Sequence, residues 1–175
     1  GKFHRISKAH RAGMLARAVH QPALDRIDYL ELMDTLADSG IRELAERTPW
    51  DGDFAHARTV LQAGMPAVLA QARQELDSSL GRMREELHCD SAQADPGCGV
   101  EVPFLYQVMR GFPQPFVFAQ MLTGFELAAR DARVVGINMV MPEDGYVSMR
   151  DFRAQMAMLD YLHAQYPQVH ISLHA

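Results

Sequence analysis

The run Val134-Val135-Gly136-Ile137-Asn138-Met139-Val140 is apolar at nearly every position, and it constrains the fold more than any other stretch. A strand with one wet face alternates apolar and polar side chains. A strand of a parallel sheet, covered on both faces, does not. Three more segments read as strands. Ile27-Asp28-Tyr29-Leu30-Glu31-Leu32-Met33 is short, bounded by charge and apolar at alternate positions. Val102 to Met109 ends at Arg110, and Val169-His170-Ile171-Ser172-Leu173-His174-Ala175 carries a histidine near its carboxyl end.

Helical patterns fill the intervals. Ser7 is placed to cap a helix starting at Lys8, with Met14, Leu15, Ala18 and Val19 at helical spacing and Pro22 kinking or shortening the last turn. Residues 39–47 form a short helix, and Asp53 caps another through Leu61. Pro66 opens a long amphipathic helix to Leu87, whose stripe of Val68, Leu69, Ala72, Leu76, Leu80, Met83 and Leu87 is core. Pro113 to Arg130 is helical, and Ser148 caps a helix through His163, ended by Tyr166-Pro167.

About four parallel strands separated by helical crossovers make an α/β chain with the helices outside the sheet. Two architectures fit: a small doubly wound domain, or a partial (β/α)8 TIM-type barrel, whose complete form takes ~250 residues. The chain stops on what reads as a core strand with no helix to cover it, which favours the partial barrel. Residues 1–175 are then the central part of one barrel domain, incomplete at both ends. Such a piece leaves sheet edges unpaired, so its expected partners are the remainder of the barrel or another copy of itself.

Composition excludes several classes. Hydrophobic residues at 48% and charged residues at 22% are ordinary for a globular protein and argue against disorder. A net charge of −5 argues against a general nucleic-acid surface. No apolar run approaches the ~18 residues of a membrane span, and the first residues lack the apolar stretch of a signal peptide, which in an internal piece says nothing about compartment. Neither Gly-x-Gly-x-x-Gly nor a phosphate-binding Gly-x-x-x-x-Gly-Lys-Ser/Thr occurs. Cys89 and Cys98 bracket a loop with an Asp95-Pro96-Gly97 turn. Either a disulfide, implying an oxidising compartment and an exported protein, or two free thiols fits.

Strand ends carry the chemistry of parallel α/β proteins. His174 sits at such an end, where a histidine serves as a metal ligand, an acid/base or a satisfied core group. His170 lies four residues earlier, roughly 13 Å away along a strand, so the two do not share one metal. Met141-Pro142-Glu143-Asp144-Gly145 follows a buried strand, where barrels place substrate groups, but taken by itself the segment reads first as a charged connection with a Pro-led turn. Glu31, read as mid-strand, needs a partner, and Arg110 is the candidate for a structural ion pair.

These residues resemble the central part of the adenosine deaminase family, and in particular its larger, growth-factor-like branch. The resemblance runs through Tyr29-Leu30-Glu31-Leu32, Gln107-Val108-Met109-Arg110, Val134-Val135-Gly136-Ile137-Asn138 with the loop beginning Pro142-Glu143-Asp144, and Ile171-Ser172-Leu173-His174-Ala175. It spans almost the whole chain in order. It implies a zinc (β/α)8 barrel that removes the amino group at purine C6 of a nucleoside, adenosine giving inosine and ammonia. Zinc lowers the pKa of a bound water in such sites. By motif His174 matches the fifth-strand zinc ligand. The family's glycine after the fourth strand, whose backbone N–H meets the purine, is replaced by Met141, which puts nucleoside specificity in doubt. No His-x-His pair occurs, and the family's glutamate acid would lie beyond Ala175. The chain thus holds no catalytic residue of the family's set and is expected to be inactive alone. The alternatives are a non-catalytic four-stranded α/β binding module and a degenerate extracellular deaminase-like protein.

Overall fold

The structure, a computed structural model, describes residues 10–173. The chain forms two compact units, one from residues up to Glu31 with Arg73–Pro103, the other from Leu32–Ala72 with residues from Phe104 onward. Its helices are α1 (Arg11–Leu24), α2 (Asp38–Glu46), α3 (Phe54–Gln62), α4 (Met65–Glu86), α5 (Gln114–Ala128), α6 (Tyr146–Arg150) and α7 (Phe152–His163). Its strands are β1 (Leu32–Asp34), β2 (Phe104–Met109), β3 (Val134–Val140) and β4 (His170–Leu173).

The second unit is built on one four-stranded sheet in the order β1-β2-β3-β4, every pair parallel. The α/β class and the parallel sheet expected from the sequence are therefore present. Each strand lies beside its neighbour in sequence, so the sheet is wound in one direction. A doubly wound sheet reverses its strand order at a switch point, and this one has no reversal among its described strands.

The apolar pattern explains the packing. From Phe116 to Leu127 every residue of α5 is buried, the property of a helix with neighbours all round. Phe118 on this helix lies 5.7 Å from the Trp50 ring, 5.5 Å from Phe54 and 6.3 Å from Tyr161. Full burial of a ring such as Phe118 contributes roughly 1.5–3 kcal/mol. Gln120, also inside α5, is fully buried, and its Oε1 accepts from the Met109 N–H at 3.0 Å while its Nε2 donates to the Phe116 carbonyl at 3.3 Å. A buried amide persists because its polar atoms are answered. Two glycines permit close approach. A Cβ on Gly124 would meet Tyr106 and Ile137 at 2.7 Å, and one on Gly136 would meet the His170 carbonyl oxygen at 2.7 Å.

In the first unit α1 buries Ala12, Leu15, Ala16 and Val19. Asp95 caps the 3-10 turn Pro96–Gly99 by accepting from the Gly97 N–H at 2.8 Å. Cys89 and Cys98 are joined by a disulfide, which resolves the choice the sequence left open. Tyr29 and Glu101 form an isolated parallel bridge.

Two expected boundaries move. The first strand begins at Leu32, not Ile27, because Tyr29 and Leu30 pair with Glu101 in the first unit instead of joining the sheet. Ser148 is no N-cap. It lies buried within α6, behind Gly145, and α7 begins separately after Asp151. Its carbonyl accepts from Arg110, which draws the segment into the interior. Asp53 does cap α3, accepting from the Ala55 and His56 N–H groups at 2.9 and 3.0 Å. Ser7 lies outside the described residues. Among the described residues no helix is long and apolar enough to cross a membrane.

Candidate functional site

Strand alternation gives the sheet two different faces. Tyr106 and Ile137, partners across β2 and β3, lie against α5 at Gly124. On the opposite face Gln107, Asn138 and Ser172 stand side by side at one level of β2, β3 and β4. Thr35, just past β1, extends the row by donating from Oγ1 to Gln107 Oε1 at 3.2 Å. Asn138 Nδ2 donates to Ser172 Oγ at 3.0 Å. Asn138 is 4% exposed and Thr35 6% exposed, so their polar atoms depend on these partners.

This row is neutral. Its two amides and two hydroxyls carry both donors and acceptors and no charge. Nothing in the reading of the sequence singled it out. The signal was present as one polar residue inside each of three apolar runs: Gln107 in Phe-Leu-Tyr-Gln-Val-Met, Asn138 in Val-Gly-Ile-Asn-Met-Val, and Ser172 in His-Ile-Ser-Leu. Their shared level becomes visible only with the strand register.

Met141 follows β3 directly and is 39% exposed. Its φ is +127°, a region that is strained for any residue with a Cβ and natural for glycine. The backbone at Met141 thus takes a shape that glycine adopts without strain. The Met141 side chain folds over Gly111, where a Cβ would meet its Cε at 2.8 Å. The loop after it closes through the Gly145 N–H on the Pro142 carbonyl at 3.0 Å, and Glu143 and Asp144 are exposed.

His174 lies outside the described residues. His170 opens β4 and is exposed, as expected for a residue at the start of that strand. Glu31 is not buried in a strand and does not meet Arg110. It is exposed, precedes β1, and accepts from the Tyr29 hydroxyl at 2.8 Å. That carboxylate raises the Tyr29 pKa above its ordinary value, chiefly through this hydrogen bond. Arg110 is instead 8% exposed and held by neutral groups: Nε donates to Gln155 Oε1 at 3.1 Å and Nη2 to the Ser148 carbonyl at 3.0 Å.

The first unit has its own cleft, of about 640 Å³, lined by His20, Asp95, Glu86 and Arg17 among others. His20 Nδ1 lies 2.7 Å from Asp95 Oδ2. The Asp95 carboxyl is held below its usual range, first by the Gly97 N–H and then by His20. His20 is 48% exposed, and an open hydrogen-bonded pair of this kind is an ordinary surface contact.

Among the described residues no three His, Cys, Asp or Glu side chains converge in a way that would hold a metal ion. Comparisons with protein-family models, with curated proteins and with solved structures found no match for this chain.

Proposed function

We propose that this chain is the central part of a (β/α)8 barrel of adenosine deaminase type, whose parent protein removes the amino group at purine C6 of a nucleoside. The observation that carries this reading is the one-directional parallel sheet, β1 to β4 in sequence order, with α5 on one face and a polar row on the other. A barrel needs that winding, and its interior is filled by the strand residues turned away from its helices. The glycine-like φ of Met141 adds support, because it falls where the resembled family presents a backbone N–H to the purine.

Zinc would supply an activated water in such a parent. Of this chain's residues, His174 is the proposed ligand, as a neutral imidazole of the type zinc takes. Gln107, Asn138 and Ser172 would line the inner wall as neutral hydrogen-bonding groups, and Met141 would form part of the purine pocket. The disulfide between Cys89 and Cys98 supports an exported parent, since such bonds persist in oxidising compartments.

The test uses the full-length protein that carries this sequence. Adenosine and related aminopurine nucleosides are offered, and ammonia release and bound zinc are measured. Turnover with one zinc per chain, both lost in His174→Ala, is the expected result. A full-length protein that binds no zinc and deaminates none of them removes the proposal.

A further inference from the structure

We infer that the cavity behind Arg110 is a binding site for a small carboxylate with an apolar tail. It lies on the helix-covered side of the sheet, away from the polar row, and does not depend on the deaminase reading. The cavity is an open cleft of about 440 Å³ lined by Met139, Met149, Phe152, Met156 and Leu173, with the mostly buried Arg110 among them, and Met149, Phe152 and Leu173 are exposed at its mouth. That size falls within the range of small-molecule sites, which pair apolar walls with a few placed polar groups.

Arg110 is the placed group. It is 8% exposed, yet no carboxylate pairs with it among the described residues. Its carbonyl accepts from Gln155 Nε2 at 2.8 Å, so Gln155 grips both ends of the residue. The guanidinium carbon lies 5.6 Å from the centre of the Phe152 ring. Guanidinium has five N–H donors, and two are committed, one to Gln155 and one to the Ser148 carbonyl. Three remain for a ligand. A buried cation demands a counter-charge or an array of acceptors, and a carboxylate answers it with two oxygens in the planar fork that guanidinium matches.

The walls select the rest of the ligand. Three thioether side chains, a phenyl ring and an isobutyl group favour an unbranched or lightly branched hydrocarbon tail, and methionine adapts its shape to such tails. Glu143 also lines the cavity and is exposed. Its charge disfavours a dianion such as phosphate beside a single guanidinium, which leaves a monocarboxylate as the fitting class.

Hexanoate is the probe, titrated against the chain and followed by calorimetry and by the shift in unfolding temperature. Hexan-1-ol is the uncharged control. Saturable hexanoate binding is expected, weaker for the alcohol by on the order of tenfold or more, the value of one charge-assisted hydrogen bond. Met149→Glu tests the same point without touching the fold, since Met149 is 67% exposed. It should weaken hexanoate binding several-fold more than it weakens hexan-1-ol binding, because the alcohol loses only a wall methionine while the acid also meets a like charge. Glu143→Gln should tighten hexanoate binding a few-fold. Absence of saturable binding, or equal affinity for acid and alcohol, overturns the assignment. So does a Met149→Glu variant that binds hexanoate as the parent chain does, because the carboxylate would then lie elsewhere.

Discussion

Along β2 and β3, Tyr106, Val108 and Ile137 are closed to solvent on the side of α5, while on the other side Gln107 stays half-buried beside Asn138. The same strands therefore carry two kinds of information in alternate residues. One face is bound by volume, the other by hydrogen-bond partners. Substitutions on the first should damage stability, and substitutions on the second should damage whatever the row recognises before they damage stability.

Tyr106→Ala is the sharpest way to break this contrast. Tyr106 is fully buried and its hydroxyl donates to the Leu36 carbonyl at 3.3 Å. Truncating a large aromatic in a packed core costs about 3–5 kcal/mol, read from urea unfolding midpoints. A loss under about 1 kcal/mol would mean that this face is not close-packed. Gly124→Val tests the same face from the helix side. An added side chain in a helix usually gains stability over glycine, but here it meets Tyr106 and Ile137 at 2.7 Å. Overpacking should win, at about 1–3 kcal/mol of destabilisation.

The polar face should respond differently. Asn138→Ala removes a donor to Ser172 and should cost about 1–2 kcal/mol, the range of one buried hydrogen bond and its unsatisfied partner. In the full-length protein the same change should reduce ligand binding or turnover more than an equal loss of stability on the α5 face does. Equal effects on both readouts from Tyr106→Ala and Asn138→Ala would erase the distinction.

The difference between the faces also explains what the sequence disclosed. The strand at Val134–Val140, the helix that became α5 and the cap at Asp53 were legible because periodicity and short-range chemistry fix them, whereas the burial of α5 on every side was not anticipated. The start of β1 was not. Tyr29 pairs with Glu101, far along the chain, and alternation in Ile27 to Met33 cannot show which partner a strand-like segment takes. Ser148 misled for a similar reason: its buried place depends on Arg110, a contact across many residues. The polar row escaped because one glutamine or asparagine in an apolar run carries no periodic signal. Met141 was singled out by its place after a buried strand and by resemblance, and its positive φ is a backbone property that side-chain identity hid.

The helix-covered side also contains the group whose titration separates the two faces. Tyr166 packs against Phe125 of α5 with its ring tilted and the ring centres 5.9 Å apart, and its hydroxyl donates to Glu126. Its pKa is raised, first by burial and then by that carboxylate, with the Arg58 guanidinium working against both. A raised pKa means the folded state holds the proton more tightly than the unfolded one. The resulting stability is complete below the ordinary tyrosine value of about 10 and is lost as pH rises through the folded-state value. Stability measured by urea at increasing alkaline pH should therefore decline more steeply in the parent chain than in Tyr166→Phe, which has no proton to lose. Near neutral pH this linkage contributes no slope, which makes it the smallest of these effects under ordinary conditions. The four residues of the polar row do not titrate in this range, so Asn138→Ala should leave the alkaline slope unchanged. An altered slope in that variant would show that the two faces are coupled.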